Sequence, residues 1–345
     1  MERYELGDLI PGLPEELAME CVTRIPYTSH QIAHEVCRRW RLLFQSRDFY
    51  NHRRVTGHAH KVACLVQAHT PDTTNKSKAT TSYRVVLFDT VNRTWRPLDP
   101  LPTYQGGLPL FCQLAGCDGK LVVMGGWDPI TYDAVQGVFI YDFVTGKWKQ
   151  GKPMPEKRSF FAIGSGSCGR VYVAGGHDPN KNALPTSWVY NVREDEWSPL
   201  PRMTRERDEC EGFVVTNGED GEEFWVISGY GSENQGRFVC DSEVYDSESG
   251  SWRLVEGTWT AGRCPRSSAG MMGGRVVCWG DLVRQGMKVG PCGLIVGDRV
   301  LVMASEGQGG NLGFYLVDGQ DGKMEKIAVD DQFSGIVQSA CSVEV

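Results

Sequence analysis

Histidine and glycine are the residues to weigh first for chemistry, because four of the seven histidines and one glycine cluster fall at suggestive spacings. His30 and His34 are one helical turn apart, and His58 and His60 flank a single residue. A zinc-type site needs three or four converging donors, and neither pair has a second cluster beside it, so no metal is expected. Gly164-x-Gly166-x-x-Gly169 matches the dinucleotide fingerprint by letter. The fingerprint works only when a helix follows to receive the pyrophosphate. Here the strand-like Val171 to Ala174 follows, so the cluster reads as a hairpin turn and no cofactor is expected. Neither a Gly-x-Ser-x-Gly elbow nor a phosphate-binding Gly-Lys-Ser/Thr is present. The twelve cysteines contain no C-x-x-C pair and read as small buried thiols kept reduced in the cytoplasm or nucleus. No catalytic residue is predicted.

If these residues do no chemistry, the elements that carry them must serve another purpose. The chain has 345 residues, a net charge of −7 and 41 glycines, well above the usual ~7%. Its 35 Phe, Tyr and Trp residues exclude a low-complexity chain. No basic stripe suggests nucleic acid, and no apolar run approaches the ~18 residues of a membrane span. Residues 70–82 are polar and read as a mobile excursion.

The first 54 residues differ from the rest. Glycine is sparse there, and apolar residues recur at helical spacing: Leu13, Leu17, Cys21 and Ile25, then Ile32, Val36 and Trp40. Three short helices are expected, and they are too small to bury all these side chains among themselves. Either they cap the remainder of the chain or they face a partner.

Residues 55–345 repeat. The pattern Phe88-Asp89-x5-Trp95 recurs as Tyr141-Asp142-x5-Trp148, Tyr190-Asn191-x5-Trp197 and Tyr245-Asp246-x5-Trp252. Upstream of the last three lie strand-like runs ending in Gly125-Gly126, Gly175-Gly176 and Ser228-Gly229, and weaker copies follow. A unit of about 50 residues made of short antiparallel strands is a propeller blade. The expected fold is therefore mainly β: a propeller, best counted as six blades beginning near 60, 110, 160, 212, 268 and 292, with five as the alternative. The unit beginning near 268 is shortened, and residues 339–345 are expected to close the ring.

These marks resemble kelch repeats. The strings Leu13-Pro14-Glu15-Glu16-Leu17-Ala18, Cys21 to Pro26 and Val36-Cys37-Arg38-Arg39-Trp40 resemble the F-box motif, which binds a Skp-type adaptor and through it a cullin-based ubiquitin ligase. The resemblance implies a contact face of Leu13, Pro14, Leu17, Ile25, Val36 and Trp40. Together the two parts are similar to the plant kelch-repeat F-box proteins, non-catalytic subunits that select targets for ubiquitination. The opening Glu5-Leu6-x-x-Leu9-Ile10-Pro11-Gly12-Leu13-Pro14 resembles a subgroup that targets phenylalanine ammonia-lyase, a phenylpropanoid enzyme; other relatives target hormone regulators or flavonoid enzymes. Certain kelch-type propellers are copper oxidases, but that centre needs His, Tyr and Cys at the ring axis, and only His177 is placed for it.

Two sets of loops on one rim recur in register and are the predicted target-binding residues. Trp127-Asp128, His177-Asp178 and Tyr230 follow the glycine-ended strands; Arg158, Arg207 and Arg266 lie in the connections between units. Arginine and tryptophan dominate interface energetics, though the arginines could equally pair with acids of neighbouring blades. A propeller scaffold with no ligase role is the alternative function.

Overall fold

A computed structural model describes residues 8–69, 82–104, 106–217, 221–283, 287–306, 312–319 and 321–345. Four helices come first: α1 (Glu15–Thr23), α2 (His30–Ala33), α3 (Arg38–Phe44) and α4 (Arg47–Val55). Pro14 stands just ahead of α1, its carbonyl accepting from Ala18 N at 3.0 Å. Ser46 caps α4, its hydroxyl accepting from Phe49 N at 3.1 Å. A core of Leu9, Ala18, Val22, Ala33, Phe44 and Phe49 holds the unit together. The fourth helix is additional to the three expected; its buried positions include Arg53, which conceals its apolar face in the sequence.

The remaining described residues form five four-stranded antiparallel sheets and one of two strands. In the first blade the chain's last strand, Val337–Glu344, lies innermost and pairs with Lys61–His69. The second, third and fourth blades have innermost strands Gln113–Cys117, Ala162–Ser165 and Glu211–Asn217. A half-blade of Ala269–Met272 and Arg275–Cys278 follows, and the last blade opens with Met287–Val296. The count thus resolves into five full blades and one remnant. In the half-blade the short helix Trp279–Leu282 replaces the outer strands. The Trp279 ring is wedged over Gly270 and Gly293, where a Cβ would stand 2.0 and 1.8 Å from it. Residues 70–81 of the expected excursion lie outside the described residues, whereas Ser82 begins a strand and pairs with His69.

The repeated sequence pattern now has a physical content. In each copy the leading aromatic and the Trp are direct cross-strand partners, with ring centroids 4.5 to 5.5 Å apart. The intervening Asp or Asn turns the chain: Asp142 Oδ1 accepts from Val144 N, and Asn191 Oδ1 from Arg193 N, both at 2.9 Å. Each Trp indole N–H then crosses to a neighbouring connection: Trp148 to Asp99 O, Trp197 to Lys152 O, Trp252 to Pro201 O and Trp95 to Ala328 O, at 2.7 to 3.1 Å. One residue per blade thereby supplies apolar area and an inter-blade hydrogen bond together. The glycine pairs have a similar logic. Gly176 sits at φ +80°, and a Cβ there would stand 2.3 Å from Ser159 O of the same blade.

Candidate functional site

The helical unit rests on one face of the ring. Arg47 donates to Asp118 O at 2.7 Å and pairs with Asp142. The Tyr50 ring lies against the Asp118-Gly119 turn, where a Cβ on Gly119 would stand 2.7 Å from it. Arg54 pairs with Glu344 at 2.9 Å, at the end of the ring-closing strand. This seat uses α4 together with Tyr27, whose ring packs 5.2 Å from His60. His30 is held by the Arg53 guanidinium and the Phe44 ring; burial is the chief reason its pKa falls to about 3. The suggestive histidines are thus packing and seat residues, with His60 facing Asp89 at 3.5 Å.

Because α4 faces the ring, the outer surface of α1 to α3 remains open. Leu13, Pro14, Leu17 and Val36 are exposed, with Leu17 at 55% and Val36 at 61%. Ile25 and Trp40 are half-buried and belong to the helical core, Trp40 Nε1 donating to Leu9 O at 2.7 Å. Their role is to hold the face rather than to form its outer surface. Ile32, at 72%, and Leu42, at 51%, are exposed apolar residues outside the predicted contact set. Ile32 lies one turn before Val36, a spacing readable from sequence; the orientation of Leu42 depends on how α3 packs. An ion pair between Arg39 and Glu15 links the starts of α3 and α1.

The opposite face carries the predicted rim. The inner strands of the second to fourth blades and the half-blade are each preceded by a non-glycine residue in the left-handed region: Phe111 (φ 57°), Phe160 (56°), Glu209 (50°) and Ser267 (52°). Bulky residues pay for this conformation, and it concentrates at functional sites. Phe111 and Phe160 stand 4.9 Å apart, and the Trp127 ring meets them edge-on at 5.4 and 5.3 Å. Arg266 comes from the half-blade and lies over Phe160, 4.0 Å from the ring centroid. Below this cluster the inner strands enclose a central cavity of about 700 Å³, reaching to Tyr50 and Arg54 on the helical side.

Several rim predictions are corrected by burial. Arg158 and Arg207 are each 1% exposed. Arg158 donates to Gly175 O at 3.0 Å, Thr186 O at 3.2 Å and Glu156 at 2.9 Å, and desolvation brings its pKa down to about 10. Arg207 donates to Ser228 O at 2.8 Å and Glu243 at 3.2 Å and pairs with Asp241. These arginines staple the connection entering a blade to that same blade and cannot reach a partner. His177 is buried on Asp208 at 3.0 Å, and Tyr230 is buried with its hydroxyl on Glu209 at 3.1 Å. Asp128 and Asp178 cap their own loops, accepting from Ile130 N and Asn180 N at 2.8 Å. Of the eight, Trp127 and Arg266 have partly exposed side chains, the Arg266 guanidinium sunk against Phe160 with Glu211 the chief charge acting on it. Phe111 and Phe160 carried no repeat mark, and their position two residues before an inner strand was the available signal.

A helical module docked beneath a β-propeller, leaving an apolar face on one end and an aromatic mouth on the other, defines a two-ended binding protein. The F-box domain family matches residues 10–52, and the Kelch motif family matches residues 110–155 and 166–204. Among similar proteins of Arabidopsis thaliana, F-box/kelch-repeat protein At2g44130 is 40% identical over 275 residues, 73% of this chain and 66% of that protein. F-box/kelch-repeat protein SKIP20 is 38% identical over 81% of this chain and 76% of its own length. F-box/kelch-repeat protein At1g15670 is 33% identical over 98% of this chain and its whole length. The chain belongs to the F-box/kelch-repeat family.

Proposed function

We propose that this protein is the target-selecting subunit of a Skp- and cullin-type ubiquitin ligase, with no catalytic step of its own. The carrying observation is the exposed apolar face of α1 to α3, left open because α4 makes the seat on the ring. Exposed leucine and isoleucine at helical spacing suit a protein partner, and a central aromatic such as Trp40 gives the face a rigid backing. The propeller mouth lies at the other end of the axis, so a target held there is kept beside the conjugating enzyme at high effective concentration. The opening segment's similarity to the subgroup acting on phenylalanine ammonia-lyase makes that enzyme the first target to test. Twelve free thiols support action in the cytoplasm or nucleus.

The test is co-purification with a Skp-type subunit. The double variant Leu17→Asp/Val36→Asp is expected to lose at least about tenfold in affinity while melting as the wild type does. Equal capture of both proteins would remove the reading in favour of a scaffold.

A further inference from the structure

Between the helical unit and the outer edge of the first two blades lies a cleft of about 320 Å³. Its walls come from both parts: Tyr27, Gln31 and His34 from the helical unit, Arg96 from the first blade, and Tyr141 and Lys147 from the second. The two sides meet at the Gly146 turn, where a Cβ would stand 3.8 Å from both the Gln31 amide nitrogen and the Tyr141 hydroxyl. No carboxylate lines this cleft, whereas Asp118, Glu211 and Glu344 line the central cavity.

The charge of the cleft is positive and uncompensated. Among the described residues neither Arg96 nor Lys147 forms an ion pair. Asp142, the cross-strand partner of Lys147, is taken up by Arg47 and by its own turn. Asp89 accepts from Val91 N and Asn92 N at 2.9 Å, and Asp99 stands outside the walls, where its charge acts on Tyr141. The Arg96 guanidinium lies over the Tyr27 ring, 5.5 Å from its centroid, which fixes its plane. Burial raises the pKa of the Tyr27 hydroxyl, and Arg96 acts against the rise. Three buried polar atoms around the cleft, the Tyr27 hydroxyl, His34 Nε2 and Arg96 Nε, have no hydrogen-bond partner among the described residues. Buried polar atoms without partners are costly, and a ligand rich in oxygen supplies what the protein lacks.

A guanidinium and an amine with hydroxyl and amide donors beside them suit a phosphate. The volume, at the small end of ligand sites, admits one phosphate and a compact carbon body. We propose that this cleft binds a small phosphate ester, its phosphate on Arg96 and Lys147 and its carbon body against Tyr27, Tyr141 and Phe143. Because the walls belong to both parts, the bound ester fastens the helical unit to the ring and fixes the angle between the two ends of the molecule. Such a site would serve a scaffold as well as a ligase subunit. The protein carries a net charge of −7, so capture of an anion depends on these local groups rather than on overall attraction.

The experiment is calorimetric titration of the full chain with phenyl phosphate, and with inorganic phosphate and phenol as the two halves of that probe. Phenyl phosphate is expected to bind at least about tenfold more tightly than either half. Arg96→Ala should weaken it at least about tenfold, Lys147→Ala a few-fold, and Arg253→Ala on the fourth blade not at all. Lys147→Glu, at an exposed position, should abolish binding, which keeps the test decisive if Arg96→Ala fails to fold. Hydrogen exchange should slow on binding in residues 27–34 and 141–147, on both sides of the cleft. Absence of binding, inorganic phosphate binding as tightly as the ester, unchanged affinity in Lys147→Glu, or protection on one side only would overturn the inference.

Discussion

The helical unit and the propeller dispose of their apolar side chains in opposite ways. The blades and the half-blade bury theirs in six clusters among the described residues, most of them running from one sheet to the next, so that phenylalanines 88, 161, 224 and 314 are all fully covered. The helical unit has one small core and leaves Leu17, Ile32, Val36 and Leu42 open. A module of about 45 residues cannot enclose that much oily surface, whereas a ring can, because every blade has two neighbours. The difference teaches where to look for a partner: at the helical end large hydrophobics are left open on one small unit, whereas those the ring exposes are scattered, with Val91 and Leu254 away from Ile130, Tyr132 and Ile336.

That contrast can be broken most severely inside the ring. Gly176→Val puts a branched side chain at φ +80° against a backbone carbonyl, and is expected to cost more than about 4 kcal/mol or to abolish folding; thermal melting would show it. Arg207→Met should follow, at roughly 3–5 kcal/mol, because the fully buried Glu243 loses its buried cation and keeps only the backbone amides of Thr204 and Arg205, while Asp241 is left to Arg205. Chemical denaturation with an unchanged slope would confirm a loss of folded-state stability.

The helical unit should respond to pH through one buried histidine. His30 is neutral when folded, its pKa near 3, and takes up a proton near 6.5 when unfolded. Between those values the unfolded state binds more protons, so stability falls as pH falls, by up to about 1.4 kcal/mol per unit below 6.5. Hydrogen-exchange protection factors in α2 and α4 should fall as the pH is lowered through that window, and His30→Gln should flatten the dependence. Trp197→Phe is the mildest test: it keeps most of the stacking on Tyr190 and removes the donation to Lys152 O, with an expected cost of about 1 kcal/mol by denaturation.

The sequence alone determined the kind of architecture, though not the blade count or the fourth helix, since each repeat mark encodes a local event. The x5 spacing is the length of a hairpin whose Asx turn and cross-strand aromatic pair are made from the motif's own residues. Helical periodicity likewise marked the apolar residues of the first 54, and the F-box resemblance singled out Leu13, Leu17 and Val36 among them, which the fold leaves exposed. Tertiary structure decided the rest. Arg158, Arg207 and Arg266 look equivalent in the chain, yet two are sealed within their blades and one is stacked at the mouth. Only the missing outer strands of the half-blade and the arrival of Phe160 from another blade distinguish them. Burial and pairing are set by neighbours remote in sequence, which no local spacing records.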